Sequence, residues 1–174
     1  TYQSNLQFKT DMTTKDIFTN TRFVGSFPSH EDLPLDEGDE IAFCGRSNSG
    51  KSSVINALTK NKKLAKTSKT PGRTQAINLF CLKDDESKRL IDLPGYGYAK
   101  VSKSKRQEWG LVIDEYLNMR KSLKGLVIIM DIRHPLKESD QMLLDWCQET
   151  QTPFLILLNK ADKFSKNKSY NEQE

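Results

Sequence analysis

Long hydrophobic runs are absent from this 174-residue sequence. The longest apolar stretches, such as Leu126 to Met130, fall far short of the roughly 20 residues that a membrane-spanning helix needs. Residues 1–20 are polar and mixed in charge, so they lack the apolar segment of a secretion signal. We therefore expect a cytoplasmic protein with no membrane partner.

Cysteine and histidine are also scarce. The three cysteines, Cys44, Cys81 and Cys147, show no paired spacing, each lies in an apolar stretch, and only two histidines are present. Disulfide frameworks and zinc sites use closely spaced cysteines and histidines. The pattern favours free, buried thiols in a reducing compartment, with a zinc site or redox pair as the minor alternative.

Acidic residues are missing from one long segment, between Ser52 and Lys83, although the chain carries 23 acidic against 27 basic residues. We call the positive side chains of this segment the basic stripe; they are Lys60, Lys62, Lys63, Lys66, Lys69, Arg73 and Lys83. Clustered lysines and arginines gain affinity for polyanions by releasing counterions from phosphates. Charge alone leaves two interpretations open, a surface for a polyanionic partner or a solvated loop.

Apolar residues follow two alternating periodicities along the chain. Short apolar runs predict strands at 41–44, 77–82, 89–92, 126–130 and 154–158. The last two of these have the continuous apolar pattern of buried strands. Helical spacing predicts helices from Lys51 to Leu58, from an N-cap at Ser102, and from a first turn at Pro135. The apolar face expected for this last helix comprises Ser139, Met142, Leu143, Trp146 and Cys147. Such alternation predicts an α/β domain, a mostly parallel central sheet with one antiparallel hairpin strand and helices on both faces.

One glycine-containing segment has a pattern with a specific chemistry. Between a predicted strand and helix, GxxxxGK[ST] is matched by Gly45, Arg46, Ser47, Asn48, Ser49, Gly50, Lys51 and Ser52. The glycines allow backbone N–H groups and the following helix N-terminus to point at phosphates. Lys51 is expected to reach the β- and γ-phosphates, and the Ser52 hydroxyl to ligate Mg²⁺. The segment therefore predicts a P-loop.

A second motif follows the predicted strand at 89–92. Asp92, Leu93, Pro94 and Gly95 form a DxxG element. In this interpretation Asp92 holds Mg²⁺, and the Gly95 N–H senses the γ-phosphate so that hydrolysis releases the loop that follows. By itself the motif is weak, because an Asp at a strand end is often a turn or cap residue.

A third motif selects the base. Asn159, Lys160, Ala161 and Asp162 form an NKxD element after the last predicted strand. Guanine presents two neighbouring N–H donors that the Asp162 carboxylate would accept, whereas adenine offers no such pair. Lys160 is expected along the base plane, and Asn159 is expected to tie this loop to the P-loop. Three motifs in this order predict a Mg²⁺-dependent GTPase.

With these motifs in place, the sequence resembles the EngB family, among the Era- and TrmE-like P-loop GTPases. The resemblance extends from Phe23 to Asp162 and rests on GRSNSGKSS (45–53), KTPGRTQ (69–75), DLPGYGYAKVS (92–102), DIRHPLKESD (131–140) and NKAD (159–162). It implies a monomeric G domain that hydrolyses GTP, assists assembly of the large ribosomal subunit and is linked to normal cell division and septation.

The resemblance also implies further site residues. Nucleotide contacts are expected at Ser53 and around the first switch, at Gly72, Arg73, Thr74, Gln75 and Ala76. Thr74 is implied as the second protein ligand to Mg²⁺ after Ser52, with Asp92 holding the ion through water. Lys51, Thr74 and Gly95 are then the residues expected to act in hydrolysis.

The resemblance gives expected boundaries as well. We expect an N-terminal extension over 1–22 and an EngB-type G domain over 23–174 that lacks its C-terminal end. The sequence stops twelve residues after Asp162. It does so before the serine-containing loop at the guanine edge and before the final strand and helix that the family has.

Two residues bear on the rate of hydrolysis. Tyr96 stands where many GTPases carry a water-orienting glutamine, so we expect slow unassisted turnover. Asn48 resembles the P-loop asparagine that coordinates K⁺ in related GTPases. A hydrogen bond that only stabilises the loop is the alternative for Asn48.

Three functions remain open. The first is a regulatory GTPase whose basic stripe, continued by Lys100, Lys103, Lys105 and Arg106, docks on ribosomal RNA. The second is a nucleotide-gated RNA- or protein-binding module with incidental hydrolysis. The third, a small-molecule kinase, conflicts with NKxD. For Arg133 and His134 we favour a cap or surface contact over catalysis, and for Trp109 and Trp146 core packing.

Overall fold

A computed structural model describes residues 17–66, 76–83, 85–97 and 103–163, with the backbone alone for 103–109. The strands are β1 (Arg22–Phe27), β2 (Asp39–Gly45), β3 (Ile77–Cys81), β4 (Lys88–Asp92), β5 (Leu123–Asp131) and β6 (Phe154–Asn159). The helices are α1 (Lys51–Leu58), α2 (Lys103–Met119) and α3 (Glu138–Glu149), and a 3₁₀ turn follows at Ala161–Lys163. Of the expected site residues, Gly72, Arg73, Thr74 and Gln75 lie outside the described ranges, as do Lys69, Lys100 and Ser102.

The six strands form one sheet in the order β1-β3-β4-β2-β5-β6. β3 pairs antiparallel with both β1 and β4, whereas β4, β2, β5 and β6 pair in parallel. β3 is therefore antiparallel to the other five strands. The predicted α/β sheet with one antiparallel hairpin strand is confirmed.

Two apolar clusters cover the two faces of the sheet. On one face, α2 and α3 supply Ile113, Tyr116, Leu143 and Cys147 to a core built on the apolar residues of the sheet. On the other face, Ile55 of α1 packs with residues that include Phe43, Phe80, Leu90 and Ile129. Helices thus lie on both faces, as predicted, and all three cysteines are free and buried.

The parallel strands deliver four polar segments to one edge of the sheet. Gly45 ends β2, Asp92 ends β4, Asp131 ends β5 and Asn159 ends β6. Residue pairs across the strands, such as Phe43 with Asp92 and Asp131 with Asn159, keep these ends level. Because ligands of open α/β sheets bind at the carboxyl ends of strands, this edge is where a site is expected.

A buried charged cluster lies towards the opposite edge, at the start of β2. The Glu40 carboxylate is fully buried and accepts hydrogen bonds from the Tyr116 hydroxyl at 2.9 Å and the Arg120 guanidinium at 2.8 Å. A third donor, the Arg89 guanidinium, lies 3.3 Å from the same carboxylate. A buried charge is tolerated only when it is paired and hydrogen-bonded, so this cluster fixes the C-terminal end of α2 against β2.

Several local predictions were wrong. The third helix does not begin at Pro135, because Leu136 takes a positive φ of 52° and Lys137 is the N-cap residue. Met142 was predicted on the apolar face but is 68% exposed, while Leu144 is buried instead. Helical spacing gave the right period for this helix and a partly wrong face.

The two outer strands also differ from expectation. The apolar run of β6 predicted a buried strand, but most of its side chains are exposed, because in the described chain β6 pairs only with β5. β1 was not predicted, since its alternation is weak and a bulge between Phe23 and Gly25 interrupts it. Among the described residues, no helix is long and apolar enough to cross a membrane.

Candidate functional site

The turn between β2 and α1 has the backbone of a phosphate-binding loop. The Ser49 N–H donates to the Arg46 carbonyl at 2.9 Å, and Asn48 and Gly50 take positive φ angles of 65° and 97°. Gly50 is the N-cap of α1, and it offers no side chain to cap the first helical turn, which contains no acidic residue. The N–H groups at this helix start are therefore oriented to receive an anion.

Asn159 joins the end of β6 to this loop. Its side-chain Nδ2 donates to the Ser49 carbonyl at 2.9 Å, which is the contact predicted from the sequence. A Cβ atom placed on Gly50 would lie 2.1 Å from the same Nδ2 atom. A side chain at position 50 would therefore displace the Asn159 amide from the P-loop, and the positive φ of Gly50 also favours glycine there.

Lys160 bridges the loop and the end of β5. Its Nζ donates to the Asn48 carbonyl and lies 3.0 Å from Asp131 Oδ2. Sequence reasoning missed Asp131, whose signal was its place at the end of a buried strand. Hydrogen bonds from the Arg133 guanidinium, helped by Lys160, hold the pKa of the Asp131 carboxyl well below its usual range. The surface contact favoured for Arg133 is confirmed, with Nε and Nη2 at 2.9 and 2.6 Å from the two Asp131 oxygens.

Asp162 stands at the rim of the site. It lies in the 3₁₀ turn after β6, with an exposed carboxylate 3.5 Å from the Lys163 ammonium. Ala161 beside it is also exposed. A carboxylate held in this way remains open to two donors from a ligand that enters between this turn and the P-loop.

Lys51 and Asp92 form an ion pair beneath the loop. The Lys51 ammonium contacts Asp92 Oδ1, and the Asp92 side chain is 6% exposed. Asn78 on β3 donates to Asp92 Oδ2 at 3.4 Å, and its own Oδ1 accepts from the Ser26 hydroxyl at 2.5 Å. Sequence reasoning missed Asn78, although a polar residue inside an apolar strand was a usable signal.

The remaining expected residues surround this pair. Ser52 is half-buried in the first turn of α1, next to exposed Ser53. Leu93 and Pro94 are buried behind Asp92, and Ala76 is half-buried where β3 begins. Ser52 and Asp92 thus present a hydroxyl and a carboxylate, the oxygen ligands that Mg²⁺ prefers.

The segment after Asp92 packs on the P-loop backbone. The Ser47 N–H donates to the Tyr96 carbonyl at 2.8 Å, and the Tyr96 N–H donates to the Gly45 carbonyl at 3.3 Å. A Cβ on Gly95 would lie 3.1 Å from Ser47 Cα. Gly95 therefore lies directly against the loop, with its backbone free to approach a bound phosphate.

Two side chains extend from this contact towards α3. The Tyr96 hydroxyl donates to Asp140 Oδ1 at 2.9 Å. The Arg46 side chain also points this way, since a Cβ on Gly97 would lie 3.2 Å from its Nε. The Arg46 guanidinium is thus directed to the segment after DxxG, at Gly97, so any phosphate contact of Arg46 would come from its backbone. Sequence reasoning missed Asp140, which is 44 residues from its partner.

The described residues contain no group of three or more His, Cys, Asp or Glu side chains that could hold a metal ion. Burial raises the pKa of the Cys44 thiol, behind the P-loop, to about 12. The described residues therefore form no complete metal-binding cage of their own. This donor set fits a cation that completes its shell with phosphate oxygens and water, as Mg²⁺ does in nucleotide sites.

Comparison with known proteins agrees with this geometry. The family described as 50S ribosome-binding GTPase matches residues 40–160. A relative named "Probable GTP-binding protein EngB", from Serratia proteamaculans (strain 568), is 56% identical over 155 residues, which cover 88% of this chain and 71% of the relative.

Two solved structures are also similar. The structure described as "Crystal structure of a probable GTP-binding protein engB" has a TM-score of 0.59 and 25% identity, and the match covers 75% of each chain. NFeoB from S. thermophilus, bound to GDP·AlF₄⁻ and K⁺, has a TM-score of 0.52 and 26% identity, over 71% of this chain and 45% of that one. With a P-loop, a DxxG segment and an NKxD segment at one sheet edge, the chain belongs to the EngB family of GTP-binding proteins and is a GTPase.

Proposed function

We propose that this chain is a Mg²⁺-dependent GTP switch that assists assembly of the large ribosomal subunit in the cytoplasm and thereby supports cell division and septation. The observation that carries the nucleotide part is the convergence of three loops. Asn159 and Lys160 bond to the P-loop carbonyls of Ser49 and Asn48, and Lys51 pairs with Asp92 beneath them.

Each part of the nucleotide then has a partner. The P-loop from Gly45 to Ser53 holds the phosphates, with Lys51 turning from Asp92 to the β- and γ-phosphates when they bind. Ser52, Asp92 and Thr74 would hold Mg²⁺, which neutralises charge on the phosphate oxygens during phosphoryl transfer. Asn78 orients the Asp92 carboxylate from behind.

Base recognition is assigned to Asp162. Its exposed carboxylate would accept the two guanine N–H donors, while Lys160, fixed by Asp131, would lie along the base. We expect Asp162→Asn to weaken GTP and to favour xanthosine triphosphate, because the amide no longer accepts both guanine donors. Competition binding with GTP, xanthosine triphosphate and ATP checks this. Wild-type protein that prefers ATP would revive the kinase alternative.

Unassisted hydrolysis is proposed to be slow. Tyr96 occupies the position after Gly95, and its hydroxyl is already bonded to Asp140, so it does not orient a water molecule. We expect a turnover on the order of 10⁻³ per second or less, as for switch GTPases without a partner. Single-turnover hydrolysis with and without large-subunit precursors separates this function from a binding module with incidental hydrolysis. The precursors should accelerate hydrolysis only if the chain is an assembly GTPase.

A monovalent cation near Asn48 is a further element of the proposal. Asn48 is exposed on the P-loop, with its carbonyl held by Lys160, and the similar NFeoB structure contains K⁺. Hydrolysis is expected to be faster in KCl than in NaCl. Equal rates in the two salts would leave Asn48 with a loop-stabilising role alone.

The ribosomal part of the proposal rests on the basic stripe. Its described members on the loop after α1 are exposed; they are Lys60, Lys62, Lys63 and Lys66. The Asn56 side chain pins this loop, donating to the Lys62 and Ala65 carbonyls at 3.2 and 2.9 Å and accepting from the Ala65 N–H at 2.7 Å. Exposed charges on a fixed loop suit a phosphate backbone such as that of ribosomal RNA.

Filter binding to large-subunit precursors tests this part. The double variant Lys62→Ala, Lys63→Ala should weaken binding of the GTP form and reduce its salt dependence. The control, Lys121→Ala with Lys124→Ala, removes the same charge from two exposed lysines, one just after α2 and one in β5. Equal, salt-insensitive binding of the GTP and GDP forms, or equal effects of the two double variants, would reject the RNA surface.

A further inference from the structure

We propose that Tyr96 and Asp140 set how strongly the chain discriminates GTP from GDP. They act as positioning residues that hold the Gly95 loop against the P-loop and connect it to the N-terminus of α3. This inference rests on the proposed function, in which the Gly95 N–H meets the γ-phosphate.

The connection is made by both oxygens of one buried carboxylate. Asp140 is 1% exposed. Its Oδ1 accepts from the Tyr96 hydroxyl at 2.9 Å, and its Oδ2 accepts from the Lys137 N–H, at the N-cap of α3, at 3.0 Å. The Asp140 carboxylate therefore caps α3 and fixes the Tyr96 hydroxyl at the same time. A movement of the carboxylate that alters one hydrogen bond also alters the other.

Tyr96 transmits this restraint to the nucleotide edge through its backbone. Its carbonyl accepts from Ser47 and its N–H donates to Gly45, one on each side of Arg46. These two bonds align Tyr96 beside the P-loop as a strand-like bridge. Gly95, the preceding residue, is thereby held against Ser47.

The hydroxyl of Tyr96 is a permanent donor. Burial, together with the nearby Asp140 charge, raises the pKa of Tyr96 far above its usual range. The Tyr96 hydroxyl therefore keeps its proton and remains the donor to Asp140. Breaking this hydrogen bond leaves a buried carboxylate oxygen without its donor, which is costly for a charged group.

Discrimination follows from which phosphate this loop meets. GTP and GDP differ only in the γ-phosphate, and only that phosphate engages Gly95. A ligand shifts a conformational equilibrium by its difference in affinity for the two states. A restraint that holds Gly95 in place thus favours GTP and leaves GDP almost unaffected, and by linkage GTP strengthens the contact at α3.

The chain offers a matched pair of variants. Tyr96→Phe removes only the hydroxyl that bonds Asp140. Tyr116→Phe removes an equivalent hydroxyl, also 2.9 Å from a buried carboxylate, that of Glu40, in the cluster towards the opposite edge of the sheet. Both variants lose one hydrogen bond to a buried charge, so unfolding in denaturant should show a similar loss of stability.

The two variants separate in nucleotide titrations. With a non-hydrolysable GTP analogue and with GDP, Tyr96→Phe should lower the ratio of GTP-analogue to GDP affinity by roughly tenfold, the scale of one hydrogen bond to a charged group. Tyr116→Phe should leave the ratio as in the wild type. Equal ratios in both variants, in a wild type that binds guanine nucleotides, would overturn this inference and leave the proposed function intact. A wild type without guanine preference would instead overturn the proposed function.

Hydrogen exchange of the wild-type protein provides a second test, which needs no variant. Amides of residues 137–141 should exchange more slowly in the GTP-analogue form than in the GDP form, because the Tyr96 contact caps that helix turn more firmly. Identical exchange at 137–141 in the two forms would overturn the connection to α3.

Discussion

A side chain at position 50 would displace the Asn159 amide. Gly50 has a φ of 97°, and a Cβ atom added to it would lie 2.1 Å from Asn159 Nδ2. Gly110, in α2, is the opposite case, since a Cβ there meets no atom within 4 Å. Replacing each glycine with alanine therefore tests two different effects. At position 50 it tests the close approach of Asn159 to the P-loop, and at position 110 it tests the backbone freedom of a helical glycine.

We expect Gly50→Ala to weaken GTP and GDP binding by roughly tenfold or more, because displacing Asn159 distorts the phosphate loop. Gly110→Ala should leave both affinities unchanged and raise the free energy of unfolding by about 0.5 to 1 kcal/mol. Isothermal titration and urea unfolding measure these effects. Normal nucleotide affinity in Gly50→Ala would contradict the close packing of Asn159 on the loop.

Elements at the centre and at the edge of the sheet contribute differently to stability. Ile128 of β5 and Ile156 of β6 are paired across the strands, yet Ile128 is fully buried and Ile156 is 38% exposed. We expect Ile128→Ala to cost about 2 to 5 kcal/mol of unfolding free energy, and Ile156→Ala about 1 kcal/mol, because less buried surface is lost. Chemical denaturation of the two variants decides this. Equal losses of unfolding free energy would mean that Ile156 of β6 is as buried in solution as Ile128.

The success of sequence reasoning also differs between elements. The bounds of α1 follow directly from the sequence, because a glycine turn precedes Lys51 and the helical spacing ends at Leu58. The edge position of β6 could not be predicted, since an apolar run looks the same in a central and an outer strand. The cap of α3 was missed because a proline at 135 suggested a first turn, whereas Asp140 supplies the capping carboxylate.

Across the whole molecule, acid stability should depend on Asp36. Burial opposes ionisation of Asp36, but hydrogen bonds from the Ser122 hydroxyl and from the Lys121 and Ser122 N–H groups outweigh it and lower its pKa from 3.8 to about 2. The folded-state pKa is depressed, so the stabilisation is present above the ordinary carboxyl pKa and is lost as the pH falls from about 4 to about 2.

Asp36→Asn tests this dependence. At pH 7 it should cost about 1 kcal/mol, a value that allows for solvent screening at a partly exposed group. The difference from the wild type should shrink below pH 4 and vanish as the pH falls through about 2. Urea unfolding as a function of pH measures it. A difference that stays constant from pH 7 to pH 2 would exclude ionisation of Asp36 as its cause.

The residues that support the site through long-range contacts could not be predicted from the sequence. The motifs identified the P-loop, DxxG and NKxD segments, because their residues are contiguous and each has a specific chemistry. Asp131, Asn78 and Asp140 support those segments from other strands and helices. Their roles depend on pairings between residues far apart in the chain, which local patterns do not encode.

The burial of Cys44, Cys81 and Cys147 makes the chain convenient for site-selective labelling. All three thiols are at most 6% exposed, and burial raises the pKa of each above its ordinary value, so thiolate reagents will react with them slowly. A single cysteine introduced at exposed Ala57, on α1 beside the loop of the basic stripe, would then carry a fluorophore without removal of the native thiols or of a stripe lysine. Fluorescence from that position would follow docking of the basic stripe in real time.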